Sequence, residues 1–159
     1  MNAIKKSSRG IFFFLGLFIS SLSTLSLSAA GQTFEPMVAH DFIKEAKHNT
    51  DWKVAFATGE QEQVVFMSIS PHTNPNNEIG EEVHPFDQVI LIVQGKAMAV
   101  LNQKSTQVGS GDLIFVPRGT KHNVINMGKK SELKLVSFYS QNDIPRDAVY
   151  KTKADQPNE

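Results

Sequence analysis

The sequence predicts an all-β domain, a closed barrel or a two-sheet sandwich, across its middle and later parts. Three observations carry that expectation. Short alternating or β-branched runs follow one another from Trp52 to Tyr139. Most of the later intervals hold glycine or proline: Pro85, Gly95, Gly109 with Gly111, Pro117 with Gly119, and Gly128. No helical period appears anywhere in residues 64–139. A sheet must hide its apolar face and protect its edges, and many short strands do this by closing on themselves or by pairing face to face.

The first thirty residues stand apart. Lys5, Lys6 and Arg9, with no acid among them, precede an apolar run from Ile11 to Leu27, and Ser28-Ala29-Ala30-Gly31 follows. A basic start, an apolar middle and a small-residue end make residues 1–30 a secretory signal, cut after Ala30, with a periplasmic or secreted product. The alternative is an uncleaved anchor helix, and the seventeen residues of the run sit at the lower limit for spanning a bilayer. After cleavage no stable membrane insertion is expected. Removing the three basic residues leaves 13 basic against 16 acidic side chains, a net charge near −3. No basic block remains to track a phosphate backbone, so no nucleic-acid partner is expected. Cysteine is absent, so the domain must be held by its core alone, and lipid anchoring through a cysteine at the cut is closed.

Residues 31–51 read as an N-terminal extension. Within it, residues 38–47 suit a short helix with Asp41 as N-cap and Phe42, Ile43 and Ala46 along one side. Residues 52–142 are the expected barrel. Residues 52–57 alternate, with Trp52, Val54 and Phe56 on one face; residues 63–69 are β-branched; residues 70–77, rich in Pro and Asn, form a loop. Further strands are expected at 78–84, 88–94, 97–102, 112–116, 122–126 and 133–139. Residues 143–159 are polar, contain Pro145 and Pro157, and read as a tail extended over the surface.

The run 88–94 is apolar on both faces, Ile90 and Ile92 on one and Val89, Leu91 and Val93 on the other. A barrel wall covers only one face, so the outer one must pack on another sheet or a second subunit. That pattern predicts a homodimer.

The strongest local signal is Gly111-x5-Pro117-x-Gly119-x2-His122-x3-Asn126. Gly111 with Asp112 suits a tight turn into a strand, and Pro117 ends that strand. Gly119 permits a φ that other residues resist. His122 then opens the returning strand with its ring directed inward, and Asn126 falls on the same face. Upstream stands Glu82-x-His84-x3-Gln88-x6-Gly95.

The later motif resembles the second motif of the cupin superfamily, and the earlier one is similar to its first, H-x-H-x(3–4)-E-x6-G, in altered form. The resemblance spans residues 52–155. It implies a cupin-type β-barrel (a double-stranded β-helix or jelly roll) with a metal held by the first motif and the later His. Carried onto this sequence, the ligands are Glu82, His84, Gln88 and His122. Glu82 stands where the family has the first His and Gln88 where it has Glu, so one anionic ligand remains. A carboxylate, an amide oxygen and two imidazoles suit Mn²⁺, Fe²⁺, Co²⁺, Ni²⁺ or Zn²⁺. The stretch also looks like a subgroup of small single-domain cupins loosely labelled sugar-phosphate-isomerase-like.

Each candidate has a plainer alternative. For His84 and His122 it is a hydrogen-bonded core histidine, and for Gln88 a donor orienting Glu82 or a bound water. Strand alternation selects Glu82 over Glu81. Asp87 reads as an outward solvated charge, His72 as a surface loop residue, and Lys104, Lys121, Lys129 and Lys130 as solvated. Trp52, Phe56, Phe66, Phe115 and Phe138 read as core, and Tyr139 as a candidate pocket hydroxyl. Two functional classes follow: a metal-dependent enzyme of isomerase, dioxygenase or lyase type acting on a small polar or sugar-like substrate, or a non-enzymatic module binding a small ligand or metal. The sequence offers no separate general acid or base to decide between them.

Overall fold

In a computed structural model, which describes residues 35–157, the β-branched and alternating runs become strands of two antiparallel sheets. The predicted signal segment lies outside the described residues. Helix α1 (Phe42–His48) leads into β1 (Lys53–Thr58), β2 (Gln63–Ile69), β3 (Gln88–Gln94), β4 (Lys96–Leu101), β5 (Lys104–Gly109), β6 (Leu113–Val116), β7 (His122–Asn126), β8 (Leu133–Tyr139) and β9 (Val149–Tyr150), and a 3₁₀ turn follows at Lys153–Asp155. One sheet runs β6-β3-β8-β2-β1-β9 and the other β5-β4-β7. Their inner faces enclose Val65, Met67, Ile69, Ile90, Ile92, Ala97, Ala99, Ile114, Val116, Val124, Leu133 and Leu135. This is the jelly-roll barrel that the sequence resemblance implied. Among the described residues, no helix is long and apolar enough to cross a membrane.

A second apolar layer lies outside the larger sheet. Ala46 of α1 packs with Phe66, Val93 and Val136, flanked by Phe42, Val54, Phe56, Val64 and Leu91. Helix α1 therefore covers part of the outer face of β3, for which the sequence offered a second sheet or subunit. The cover is incomplete: Leu113, Phe115 and Phe138 are exposed, which corrects the reading of the two phenylalanines as core. The helix differs in detail too. Asp41 occupies the N-cap with φ 54° and makes no side-chain cap, and Ile43 is exposed.

Three further expectations are corrected. Residues 78–84 form no continuous strand; they touch the barrel through isolated bridges, Glu78 to Ile125 and Glu82 to His122. Gly80, at φ 99°, breaks the extension between them. Strand β5 has no counterpart in the sequence reading, because Lys104-Ser-Thr-Gln-Val-Gly109 is an edge strand that is mostly exposed. The β4–β5 hairpin turns on Asn102 and Gln103, both at positive φ (44° and 69°), a two-residue turn without the glycine that would mark it. The tail is no loose extension: Ile144 is buried, β9 pairs with β1, and Trp52 Nε1 donates to Gln156 Oε1 at 3.1 Å.

Asn126, four residues after His122, is a structural staple. Its amide donates to the carbonyls of Ile69, Ser70 and Ser131, and its Oδ1 accepts from the Gly128 N–H at 2.7 Å. Gly119 adopts the positive φ expected of it, 76°, and a Cβ there would meet no atom within 4 Å. Any cost of substitution is therefore backbone strain. Gly119→Val is expected to lower stability by about 1–3 kcal/mol, read as a fall in the urea midpoint, and an unchanged midpoint would refute the assignment.

Candidate metal centre

Backbone pairing places the candidate ligands. The Glu82 N–H donates to the His122 carbonyl and the His122 N–H returns a bond to the Glu82 carbonyl, both at 2.9 Å. The Gly119 N–H donates to the His84 carbonyl at 2.8 Å, so the turn before β7 also fixes the other histidine. Asp87, expected to be merely solvated, steadies that turn: its Oδ1 accepts from the Arg118 N–H at 2.8 Å. Glycine and proline at the turn thus aim side chains of two segments at one place.

Glu82, His84 and His122 converge there, with one donor atom from each lying within 4.8 Å of the others. Glu82 Oε2 is 3.2 Å from His84 Nε2 and 3.8 Å from His122 Nε2. Donors bound to one ion at about 2.0–2.2 Å lie roughly 3–4 Å apart, so these spacings fit a shared cation. The histidine chemistry fits as well. His122 Nδ1 lies 2.9 Å from the Thr120 carbonyl, which can only accept, so Nδ1 carries the proton and Nε2 presents its lone pair. That Nε2 is buried and has no hydrogen-bond partner.

Gln88 is buried on the inner face of β3, beside Tyr139 of β8 in the register. Its Nε2 donates to Ser137 Oγ at 3.1 Å, and its Oε1, like His122 Nε2, is buried and unpartnered. Tyr139 is buried, its ring edge-on to both His84 and Phe86, and Phe86 stacks on the His84 ring with centroids 4.8 Å apart. Lys121 pairs with Glu81 at the exposed rim, and His72 sits in its loop beside Asn77.

The sequence reading missed two residues of this region. Lys53 and Asp143 form a buried ion pair at 2.9 Å, and the other Asp143 oxygen lies 3.7 Å from His84 Nδ1. Strand alternation put Lys53 on the polar face of β1, which in the structure points into the barrel. Asp143 belonged to a tail expected on the surface. The only available signal was Lys53 itself, a cation placed between Trp52 and Val54 at the start of an apolar run.

The charges are coupled. Burial pushes the Glu82 carboxyl up, but the His84 hydrogen bond and the Lys53 charge outweigh it and hold the group below its ordinary value. Burial alone would lower His84; the hydrogen bond and charge of Glu82, then Asp143, raise it instead. Burial leads for His122 and keeps it lowered, hence neutral. Lys53 loses by burial and gains more from the Asp143 and Glu82 carboxylates, so it stays charged. Burial raises the Tyr139 phenol, which stays neutral.

Of the candidate ligands, Glu82 alone lines a surface hollow. A cavity of about 330 Å³ is bounded by Ile79, Gly80, Glu81, Glu82 and the tail residues Lys153, Gln156 and Pro157. A larger hollow of about 570 Å³ beside Gly95 and Ser131 includes none of the candidate ligands.

A jelly roll with two histidines and a carboxylate converging inside it matches a known class. The family model described as a cupin domain matches residues 72–139. The crystal structure of BH2720 from Bacillus halodurans superposes with a TM-score of 0.71 and 32% identity, over 76% of this chain and 92% of that one. The uncharacterized protein YrkC of Bacillus subtilis is 34% identical over 119 residues, covering 70% of this chain and 61% of YrkC. This chain therefore spans about three fifths of that curated relative. A cupin superfamily protein from Desulfitobacterium hafniense shares the fold at 18% identity, with a TM-score of 0.53 over 70% of this chain and 97% of the other. The chain belongs to the cupin superfamily.

The raised His84 value gives a pH dependence with a definite sign. A cation must displace the proton from His84, so binding of Zn²⁺ below that raised value releases one proton. Affinity should rise about tenfold per pH unit there and level off above it. In the metal-free protein, His84 contributes stability below the ordinary histidine value and loses it as pH rises through the raised one. Glu82 contributes above the ordinary carboxylate value and loses it as pH falls through the lowered one. Calorimetric Zn²⁺ titrations across pH 5–8 test the first statement, and a flat profile would contradict it.

Proposed function

We propose that this chain is an exported small cupin that holds a divalent metal on Glu82, His84 and His122, with Gln88 as a fourth ligand, and acts on a small polar or sugar-like substrate. The observation that carries the metal reading is the buried Nε2 of His122, unpartnered while its Nδ1 is fixed on Thr120. A buried lone pair without a partner is costly, and a cation between it and Glu82 relieves that cost. The orphaned Gln88 oxygen supports the fourth place. The donor set suits Mn²⁺, Fe²⁺, Co²⁺, Ni²⁺ or Zn²⁺. Such an ion supplies Lewis acidity toward a carbonyl, hydroxyl or water. The chain's own residues orient the site and keep His84, Gln88 and His122 buried, while Glu82 is partly exposed.

The enzyme reading, of isomerase, dioxygenase or lyase type, rests on that donor set, whose Glu82 borders a surface hollow of about 330 Å³. The amide at Gln88, which leaves one anionic ligand, favours the second reading, a module that binds a small ligand or metal without turnover. Export rests on the character of residues 1–30. A homodimer is supported by Leu113, Phe115 and Phe138, 62%, 55% and 37% exposed; Val89 pairs with both phenylalanines across β6-β3-β8, and β6 is a sheet edge.

His122→Ala is expected to abolish metal loading, measured by elemental analysis of purified protein. The variant should stay folded at a cost of about 1–3 kcal/mol, because the Thr120 carbonyl loses its donor. Undiminished loading would place the metal elsewhere. By light scattering the protein should have the mass of a dimer at micromolar concentration, and Phe115→Asp should release monomers. A monomeric wild type would exclude the interface.

A further inference from the structure

We propose that Asp143 is a positioning residue of the metal centre, held by Lys53 and Gln63 against Nδ1 of His84 so that the ring presents Nε2 toward Glu82. This rests on the metal reading above. It extends that reading to two strands and a tail that carry none of the proposed ligands.

The geometry is a chain of buried polar contacts. Lys53, on β1, is 1% exposed, and its Nζ lies 2.9 Å from Asp143 Oδ2. Gln63, on β2, is also 1% exposed. Its Oε1 accepts from the N–H groups of Asp143 and Ile144 at 3.0 and 3.1 Å, and its Nε2 donates to the Ile144 carbonyl at 2.8 Å. The Asp143 backbone and one carboxylate oxygen are thereby fixed. The second oxygen faces His84 Nδ1 at 3.7 Å. That is a charge contact, and a shift of roughly half an ångström would make it a hydrogen bond. On the far side of the ring, Nε2 meets Glu82 Oε2 at 3.2 Å.

Stability alone is a poor reason for this arrangement. A buried ion pair is commonly no better than apolar residues of the same volume, because both ions must be stripped of water. The barrel interior is otherwise lined largely by Ile, Val and Leu. What the pair does supply is a fixed acceptor behind an imidazole, the usual means of setting which ring nitrogen is free to bind. His122 obtains the same service from the Thr120 carbonyl. The two histidines are thus oriented by different partners, one a backbone carbonyl and the other a carboxylate delivered by the tail.

The test combines zinc calorimetry with long-range ¹H–¹⁵N NMR of the imidazoles. Zinc affinity should fall 10–100-fold in D143N, and equally in K53M/D143N, which removes the stranded ammonium. D143E should recover part of the loss, while circular dichroism shows the metal-free variants folded. In zinc-loaded wild type, His84 should carry its proton on Nδ1 and bind through Nε2. Wild-type affinity in folded K53M/D143N, or zinc on Nδ1 of His84, would overturn the proposal while leaving the metal reading intact. Absence of zinc binding by the wild type would overturn both. Should neither variant fold, the wild-type NMR spectrum decides alone.

Discussion

The reciprocal backbone bonds between Glu82 and His122 are the constraint on which the site depends. They tie an irregular segment to the start of β7, and the Gly119 N–H ties His84 to the same turn. Three side chains from two distant stretches are then delivered to one point by hydrogen bonds that are local to the rim. Elsewhere along residues 78–84 the chain needs no continuous ladder, which is why Gly80 can break the strand without loosening the site. A rigid rim around a packed apolar interior is a suitable mount for a group that must be held to within a fraction of an ångström.

The interior charge follows from that geometry. Glu82 and Asp143 bring two carboxylates into the barrel against one ammonium, Lys53. The remaining negative charge draws a cation, and His84 stands where it can be a proton carrier or a metal ligand. A metal bound there would compete with the proton for one balance of charge, and burial would make that competition strong because few waters screen it. His122, pushed toward neutrality by burial, is the permanently available imidazole of the two.

Much of this was legible in the sequence where a local rule applied. Strands β2, β3, β7 and β8 announced themselves through β-branched runs between glycine and proline breaks, and Gly119 and His122 through turn chemistry. The grouping of Glu82, His84 and His122 followed from the resemblance to the two cupin motifs. What was hidden depended on long-range pairing. Strand β5 is polar at an edge and begins after a turn without glycine, so neither period nor punctuation marks its start. Lys53 faces inward because Val54 and Phe56 are claimed by the outer layer under α1, a layer no periodicity of β1 alone reveals. Asp143 becomes part of the barrel through Gln63 and Lys53, eighty and ninety residues earlier in the chain.

The most direct measurement is a crystal structure of the metal-loaded protein with anomalous diffraction recorded at the absorption edge of the bound ion. The account predicts one peak inside the barrel, about 2.0–2.3 Å from Glu82 Oε2, His84 Nε2 and His122 Nε2. A peak lying away from these three atoms, with His122 Nε2 still bare, would contradict it.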